Sequence, residues 1–333
     1  MSTVDGTYIQ LAPGETSSST TYKARIIGEF ILEHLASHRA TTTDSNASAP
    51  LMVAMHGPQG CGKTTLTDEI QRYLCLSKVK ARSAVLSLDG KLRTSSQQNL
   101  YHTHKSLLNL RERHPQNALL SGRGLPGTHD LELARTTLDT IQKCNQGDTT
   151  RIELPIFDKS AFAGQGDRST RTISIETPVD VFILEGWSMG FQALGRDELI
   201  RRYEQARSVY ARQDSVLEKP AFLSHSLESL LQVDEYLDSA GAILYPPFSL
   251  LIRIRPESYS YVYAWRKQQE HQLIAARGSG MTDQQVEEFV MRYMPGYELW
   301  AGNTDGEVGS LWTGKSLVLW YDKGREVVSV DKA

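Results

Sequence analysis

Hydrophobic residues along this chain fall into two kinds of pattern. Short, nearly continuous apolar runs occur at Leu51 to His56, Ser83 to Leu88, Val179 to Leu184, Ser249 to Ile254 and Ser316 to Tyr321. Runs of this length, bounded by polar or glycine-containing segments, predict strands buried on both faces. Between them, apolar residues recur at three- and four-residue spacing over 65–76, 130–144, 226–238, 259–276 and 282–293, which predicts amphipathic helices. The alternation predicts an α/β fold, a doubly wound and mostly parallel sheet with helices on both faces. A further helix is expected over 22–38, where Ile26, Ile27, Phe30, Ile31 and Leu35 form one stripe that should pack onto the main domain. The Ser- and Thr-rich stretch up to Thr21 is expected to be a loose tail, and RATTTDSNASAP at 39–50 reads as a linker. The expected organisation is therefore tail, helix and linker over 1–50 and one domain over 51–333.

Composition adds mainly exclusions. The 333 residues are 40% hydrophobic and 23% charged, ordinary for a soluble globular protein. A formal net charge of −3 and a pI near 6.3 give no global basic field, so neither nucleic acid nor a membrane surface is expected as a partner. Cys61, Cys75 and Cys144 are widely spaced and form no CxxC or Cys/His pattern, so neither a disulfide framework nor a zinc site is expected. The first residues lack a secretory signal pattern, and no apolar run approaches the roughly 20 residues that span a bilayer. These features fit the cytoplasm best, with the nucleus a second compatible location. His102 and His104 stand in a polar segment without a partner cluster and read as a surface pair.

The strongest chemical signal follows the first apolar run. Gly57-Pro58-Gln59-Gly60-Cys61-Gly62-Lys63-Thr64-Thr65 satisfies G-x-x-x-x-G-K-[ST], between a predicted strand and a predicted helix. Such a loop curls backbone N–H groups around phosphates and aims the positive end of the following helix at them. Lys63 is expected to reach the β- and γ-phosphates, and the Thr64 hydroxyl to ligate Mg²⁺. The chain has no Asn-Lys pair of the kind a GTPase uses to read its base, and Asp238-Ser-Ala-Gly241 follows a helical pattern, not a strand. The run VDVFIL ends in Glu185-Gly186-Trp187, which puts a carboxylate near the loop as a second candidate Mg²⁺ ligand.

Other candidates carry two readings each. Lys159, Arg168 and Arg171 flank a glycine-rich turn, Ala163-Gly164-Gln165-Gly166, and either close over an anionic reactant or form a solvated basic loop. Thr128-His129-Asp130 either caps the helix beginning near Leu131 or contacts substrate, and the two roles are compatible. Tyr261, Trp265 and Phe289 fall at helical spacing, which favours core packing over base stacking. Asp89 ends the second apolar run at the carboxyl edge where ligands bind in such sheets.

Taken together, GPQGCGKTT, RGLPGTHDLEL, LPIFDKSAFAGQGDR, EGWSMGF, VYAWRKQQE and MTDQQVEEFVMRYMPGYE resemble, in order, the D-glycerate 3-kinase family of plants, cyanobacteria and fungi. They cover the chain from about Leu51 to its end and look most like the fungal branch, whose members are known as probable ATP-dependent kinases. The resemblance implies a P-loop small-molecule kinase, related to uridine, pantothenate and phosphoribulo kinases, that uses ATP and Mg²⁺. It implies phosphorylation of a small hydroxylated metabolite, D-glycerate to 3-phosphoglycerate first of all. It also implies that Asp89 takes the proton from the acceptor hydroxyl, and that Arg168 and Lys159 serve the substrate. SLDGKLRT departs from the family's string, which resembles SxDDFYLT: Lys91 and Leu92 replace an aromatic pair. That departure leaves open a kinase for another acceptor, or a nucleotide-binding protein without catalysis. Oligomeric state is not legible in the sequence.

Overall fold

The central strands are buried on both faces. In β1 (Leu51–His56) and β5 (Val181–Gly186) all six positions are buried. The structure, a computed structural model, describes residues 16–41, 49–88, 104–147, 150–158, 162, 167–211, 219–304 and 312–332. With β2 (Ser83–Ser87), β6 (Leu250–Pro256), β7 (Ser316–Tyr321) and β8 (Val327–Lys332), these strands make a six-stranded sheet in the order β2-β5-β1-β6-β7-β8. Every pairing is parallel except β7 with β8.

Side-chain alternation along β1 divides the core. Leu51, Val53 and Met55 face a layer that holds α1 (Thr20–Thr41), α2 (Lys63–Leu76), α7 (Tyr261–Arg277), α8 (Asp283–Met291) and α9 (Met294–Leu299). Met52 and Ala54 face α4 (Leu131–Gln142) and a separate hairpin of β3 (Arg151–Asp158) and β4 (Asp167–Glu176). α6 (Leu227–Leu244) serves both layers, with Leu230 and Val233 in the first and Leu244 in the second. The expected α/β architecture with covered faces is therefore present.

The predicted helix ahead of the domain is α1, and its stripe lies on α2: Ile27 and Ile31 are fully buried, each stabilising by about 1.5–3 kcal/mol. The expected loose tail needs correction over its last residues. Thr16 to Ser19 form a turn, the Ser17 carbonyl accepts from Val327 N at 3.2 Å, and the Ser17 hydroxyl donates to Glu326 at 3.1 Å. A backbone carbonyl against an edge strand satisfies a donor that would otherwise face water.

Several elements are additional to the expected set: α3 (His104–Arg113), the β3–β4 hairpin, α5 (Arg196–Ala211), α9 and β8. Asp238 to Gly241 lie within α6, in keeping with their having no part in a GTPase motif. Among the described residues no helix is long and apolar enough to cross a membrane, and no group of three His, Cys, Asp or Glu residues is placed to hold a metal. His102 lies outside the described residues.

Candidate active site

The sheet order sets the location of the site. β1 lies between β5 and β6, so the loop that leaves it sits centrally at the carboxyl edge of the sheet, where a crevice opens. The loop Gly57 to Gly62 fills the head of that crevice. Gly57 N donates to Gly186 O at 3.4 Å, and Gln59 N donates to the Tyr297 hydroxyl at 3.1 Å, which ties the loop to β5 and to α9. Gly62 is the residue before α2 and has φ 94°, a left-handed conformation that a side chain would strain. Gly60, at φ 77°, meets a further limit: a Cβ there would lie 2.7 Å from Trp265 Cβ. The loop is thus wedged against α7.

Lys63 begins α2, and its ammonium donates to Gly57 O at 2.5 Å and Pro58 O at 3.3 Å, inside the curl of the loop. Thr64 and Thr65 follow on the first turn of the helix, at its positive end. Cys61 is buried, and that burial raises its thiol pKa, so it remains protonated within the loop. Glu185 sits inside β5 and not just after it. It pairs in register with Met55, is 4% exposed, and lines the same cavity as Lys63 and Thr64. The Glu185 carbonyl also accepts from Leu88 N at 2.7 Å, so the end of β2 is fixed beside it. Asp89 is the next residue, and it lies outside the described residues.

Beneath the loop is a buried basic pair. His56 pairs in register with Arg253, and the two are 2% and 1% exposed. Burial, then the charges of Arg253, Lys63 and Arg255, hold the His56 pKa well below 6.5, so the imidazole is neutral.

In front of the loop is a cavity of about 870 Å³. Its walls carry Lys63, Arg111, Arg123, Arg266, Arg292 and Arg325 against the carboxylates Glu185 and Glu270, a balance suited to polyanionic ligands. The sequence reading gave no role to these five arginines. A signal was present for one of them, since Arg266, Gln269, Glu270 and Leu273 fall at i, i+3, i+4 and i+7 and share one face of α7. Arg266 and Glu270 form a buried ion pair at 3.1 Å, and Glu270 also accepts from Met281 N, which joins α7 to the start of α8. Trp265 is in the core as expected, at 1% exposure. Phe289 packs against the core and also forms cavity wall beneath the Arg266 guanidinium.

The expected substrate residues separate. Asp130 caps α4, accepting from Leu133 N at 2.9 Å. His129 and Asp130 line a second, smaller cavity of about 250 Å³ that also touches Leu88 and Ser188 at the strand ends. Thr128 is fully buried, and its hydroxyl accepts from Gly124 N and donates to Leu125 O, so it closes its own turn. Arg171 lies exposed on β4 and lines neither of these two cavities. Arg168 pairs in register with Phe157 in the hairpin, while Lys159, Gly164 and the side chain of Arg168 lie outside the described residues.

Trp187 shows why EGWSMGF reads as one unit. Its indole donates to Gly124 O at 2.7 Å and meets Phe191, Tyr293 and Tyr297 edge-on, tying β5 to the 124–127 turn and to α9.

A phosphate-binding loop at the central strand, opening on a cleft of this size and charge, places the protein among the P-loop kinases that act on small molecules. Comparison with known proteins narrows that class. The chain is 34% identical to the probable ATP-dependent kinase TDA10 of Saccharomyces cerevisiae, over 92% of this chain and 97% of that protein. It is 32% identical to the chloroplastic D-glycerate 3-kinase of Arabidopsis thaliana, over 80% of this chain and 51% of that one. Among solved structures, the D-glycerate 3-kinase of Cryptococcus neoformans var. grubii superposes with a TM-score of 0.82 at 36% identity, covering 93% of this chain and 99% of the other. No protein-family model matches the chain. The chain belongs to the D-glycerate 3-kinase family.

Proposed function

We propose that the enzyme transfers the γ-phosphoryl group of MgATP to the 3-hydroxyl of D-glycerate, giving 3-phosphoglycerate and ADP. The observation that carries this reading is the cation-rich cavity in front of the loop, in a chain related to D-glycerate 3-kinases over most of its length. Both reactants are anions, and Lys63, Arg111, Arg123, Arg266 and Arg292 on its walls supply fixed counter-charge without reorganisation during transfer.

In this reading the loop amides and Lys63 hold the β- and γ-phosphates. Thr64 and Glu185 offer a hydroxyl and a carboxylate, the hard oxygen donors that suit magnesium, and both line the cavity. A magnesium ion held by these two residues would supply counter-charge to the transferring phosphate. Asp89 accepts the proton of the acceptor hydroxyl at the carboxyl edge of β2. Arg168 and Lys159, from the hairpin, and His129 with Asp130, from the smaller cavity, complete the acceptor side.

The test is ADP release with D-glycerate, uridine, pantothenate and ribulose 5-phosphate in parallel, for wild type and Lys63→Ala. D-glycerate should give the highest kcat/KM, and Lys63→Ala should lose at least about 10³-fold of it while its melting temperature is unchanged. Preference for a neutral nucleoside would overturn the acceptor assignment. Thr64→Val and Glu185→Gln should each raise the magnesium concentration needed for half-maximal rate; an unchanged requirement removes that residue from the metal site.

A further inference from the structure

The turn between β7 and β8 carries an anomaly of backbone chemistry. Arg325 N donates to Asp322 O at 3.0 Å, and Glu326 N donates to Asp322 Oδ1 at 2.7 Å, which closes a tight hairpin turn. Arg325 occupies its left-handed position, at φ 67°. Glycine or asparagine is the low-cost residue there, and the chain has a glycine available one position earlier, at Gly324. A long side chain held at such a position is retained only where its contacts outweigh the strain.

Those contacts reach the phosphate-binding loop and the helix packed beside it. Arg325 Nε donates to Gly60 O at 2.9 Å, and Nη1 donates to Gln268 Oε1 at 2.8 Å. The guanidinium lies 5.2 Å from the ring of Trp265, whose indole N–H donates back to Lys323 O at 2.8 Å in the same turn. Arg325, Gly60 and Gln268 all line the large cavity. Gly60 itself fits only because it lacks a Cβ, as the contact with Trp265 shows. One planar group therefore bridges the loop, α7 and the last hairpin, and no other side-chain type reaches two acceptors in a fixed fork while stacking on an indole.

The hairpin is held from behind by the amino-terminal segment. Ser17 bonds Glu326 and Val327, and Lys23 donates to Ser18 O at 2.9 Å with its ammonium 4.6 Å from the ring of Tyr321. Burial lowers the Lys23 pKa to about 8. The loop is thus braced through Arg325 by parts of the chain that carry none of its own motif.

We infer that Arg325 is a positioning residue for the nucleoside triphosphate, holding Gly60 and hence the phosphate-binding curl in its binding conformation. This rests on the kinase reading above and deepens it on the nucleotide side. The variant Arg325→Gly separates the role from stability, because glycine relieves the turn while it deletes the brace. We expect a melting temperature equal to or above that of wild type. Affinity for MgATP, titrated directly by calorimetry, should fall at least tenfold. KM for ATP should rise in parallel, with kcat at saturating ATP and KM for the acceptor each changed less than threefold. Arg325→Lys keeps the charge but satisfies one acceptor only, and should remain at least fivefold weaker for MgATP. Gln268→Leu, which leaves the turn intact, should show a smaller loss of the same kind.

Wild-type MgATP affinity in Arg325→Gly, or full recovery in Arg325→Lys, overturns the inference. Loss of affinity with an equal loss in kcat and acceptor binding would mark a general structural role and overturns it too. Failure of the wild-type protein to bind MgATP at all would instead refute the kinase reading.

Discussion

Lowering the pH from 7 to 5 should destabilise this protein through His56 in particular. Its imidazole is neutral in the fold, held below the ordinary 6.5 first by burial and then by Arg253, Lys63 and Arg255. In the unfolded chain the same ring titrates near 6.5. As the pH falls below that value the unfolded state takes up a proton that the folded state refuses, so the equilibrium moves toward unfolding. With the folded ring unprotonated throughout, the cost accumulated between pH 7 and pH 5 is about 2 kcal/mol, at a limiting slope of about 1.4 kcal/mol per pH unit. The contribution is fully present above about pH 7 and is lost as pH falls through the unfolded value. Urea unfolding of wild type and His56→Gln at both pH values measures it, since groups common to the two proteins cancel in the difference. Wild type should lose about 2 kcal/mol more than the variant across this interval. Equal losses would show that His56 is protonated in the fold and that its partnership with Arg253 is not what the register implies.

Asp234 supports a second prediction, on stability alone. It is buried in α6 and accepts from Leu194 N at 2.7 Å, Gly195 N at 2.9 Å and the Trp300 indole at 2.7 Å, joining the start of α5 to the end of α9. Asp234→Ala strands three donors and should cost about 3–5 kcal/mol in chemical denaturation; a loss under about 1 kcal/mol would mean water replaces the carboxylate. Asp89→Asn should lower kcat by about 10²–10⁴ with MgATP affinity unchanged, and full activity would remove Asp89 from the reaction.

How legible all this was in the sequence depends on what each segment buries. Continuous apolar runs announced β1, β2, β5, β6 and β7, since residues covered on both faces admit little else. The β3–β4 hairpin left a fainter trace: Ile152 and Leu154 on one strand alternate with polar residues, as do Ile173 and Ile175 on the other, but each run is short and half exposed. In α5 only Leu199 is buried, so its sequence shows charge without a stripe. Edge strand β8 is half covered and has the same weakness. At the site, the loop was readable because its mechanism fixes residue types at fixed spacing. Arg325 was not, because its partners Gly60 and Gln268 are distant in sequence and only the tertiary fold brings them together. Thr128 shows the converse: a residue in a recognisable string can owe its place there to a turn it closes.

The strand order also governs when the site can exist during synthesis. β1 emerges early, yet its neighbours in the sheet begin at Val181 and Leu250, and the arginine that braces its loop lies beyond both. At about 5–20 residues per second, the ribosome delivers those partners seconds to tens of seconds after β1 itself. Until then β1 has two unpaired edges and an apolar sequence on both faces, the combination most prone to pair with another chain. A product terminated before Leu250 would keep one of those edges permanently. Nascent chains of this kinase should therefore depend on holding chaperones most strongly over the interval between β1 and β6.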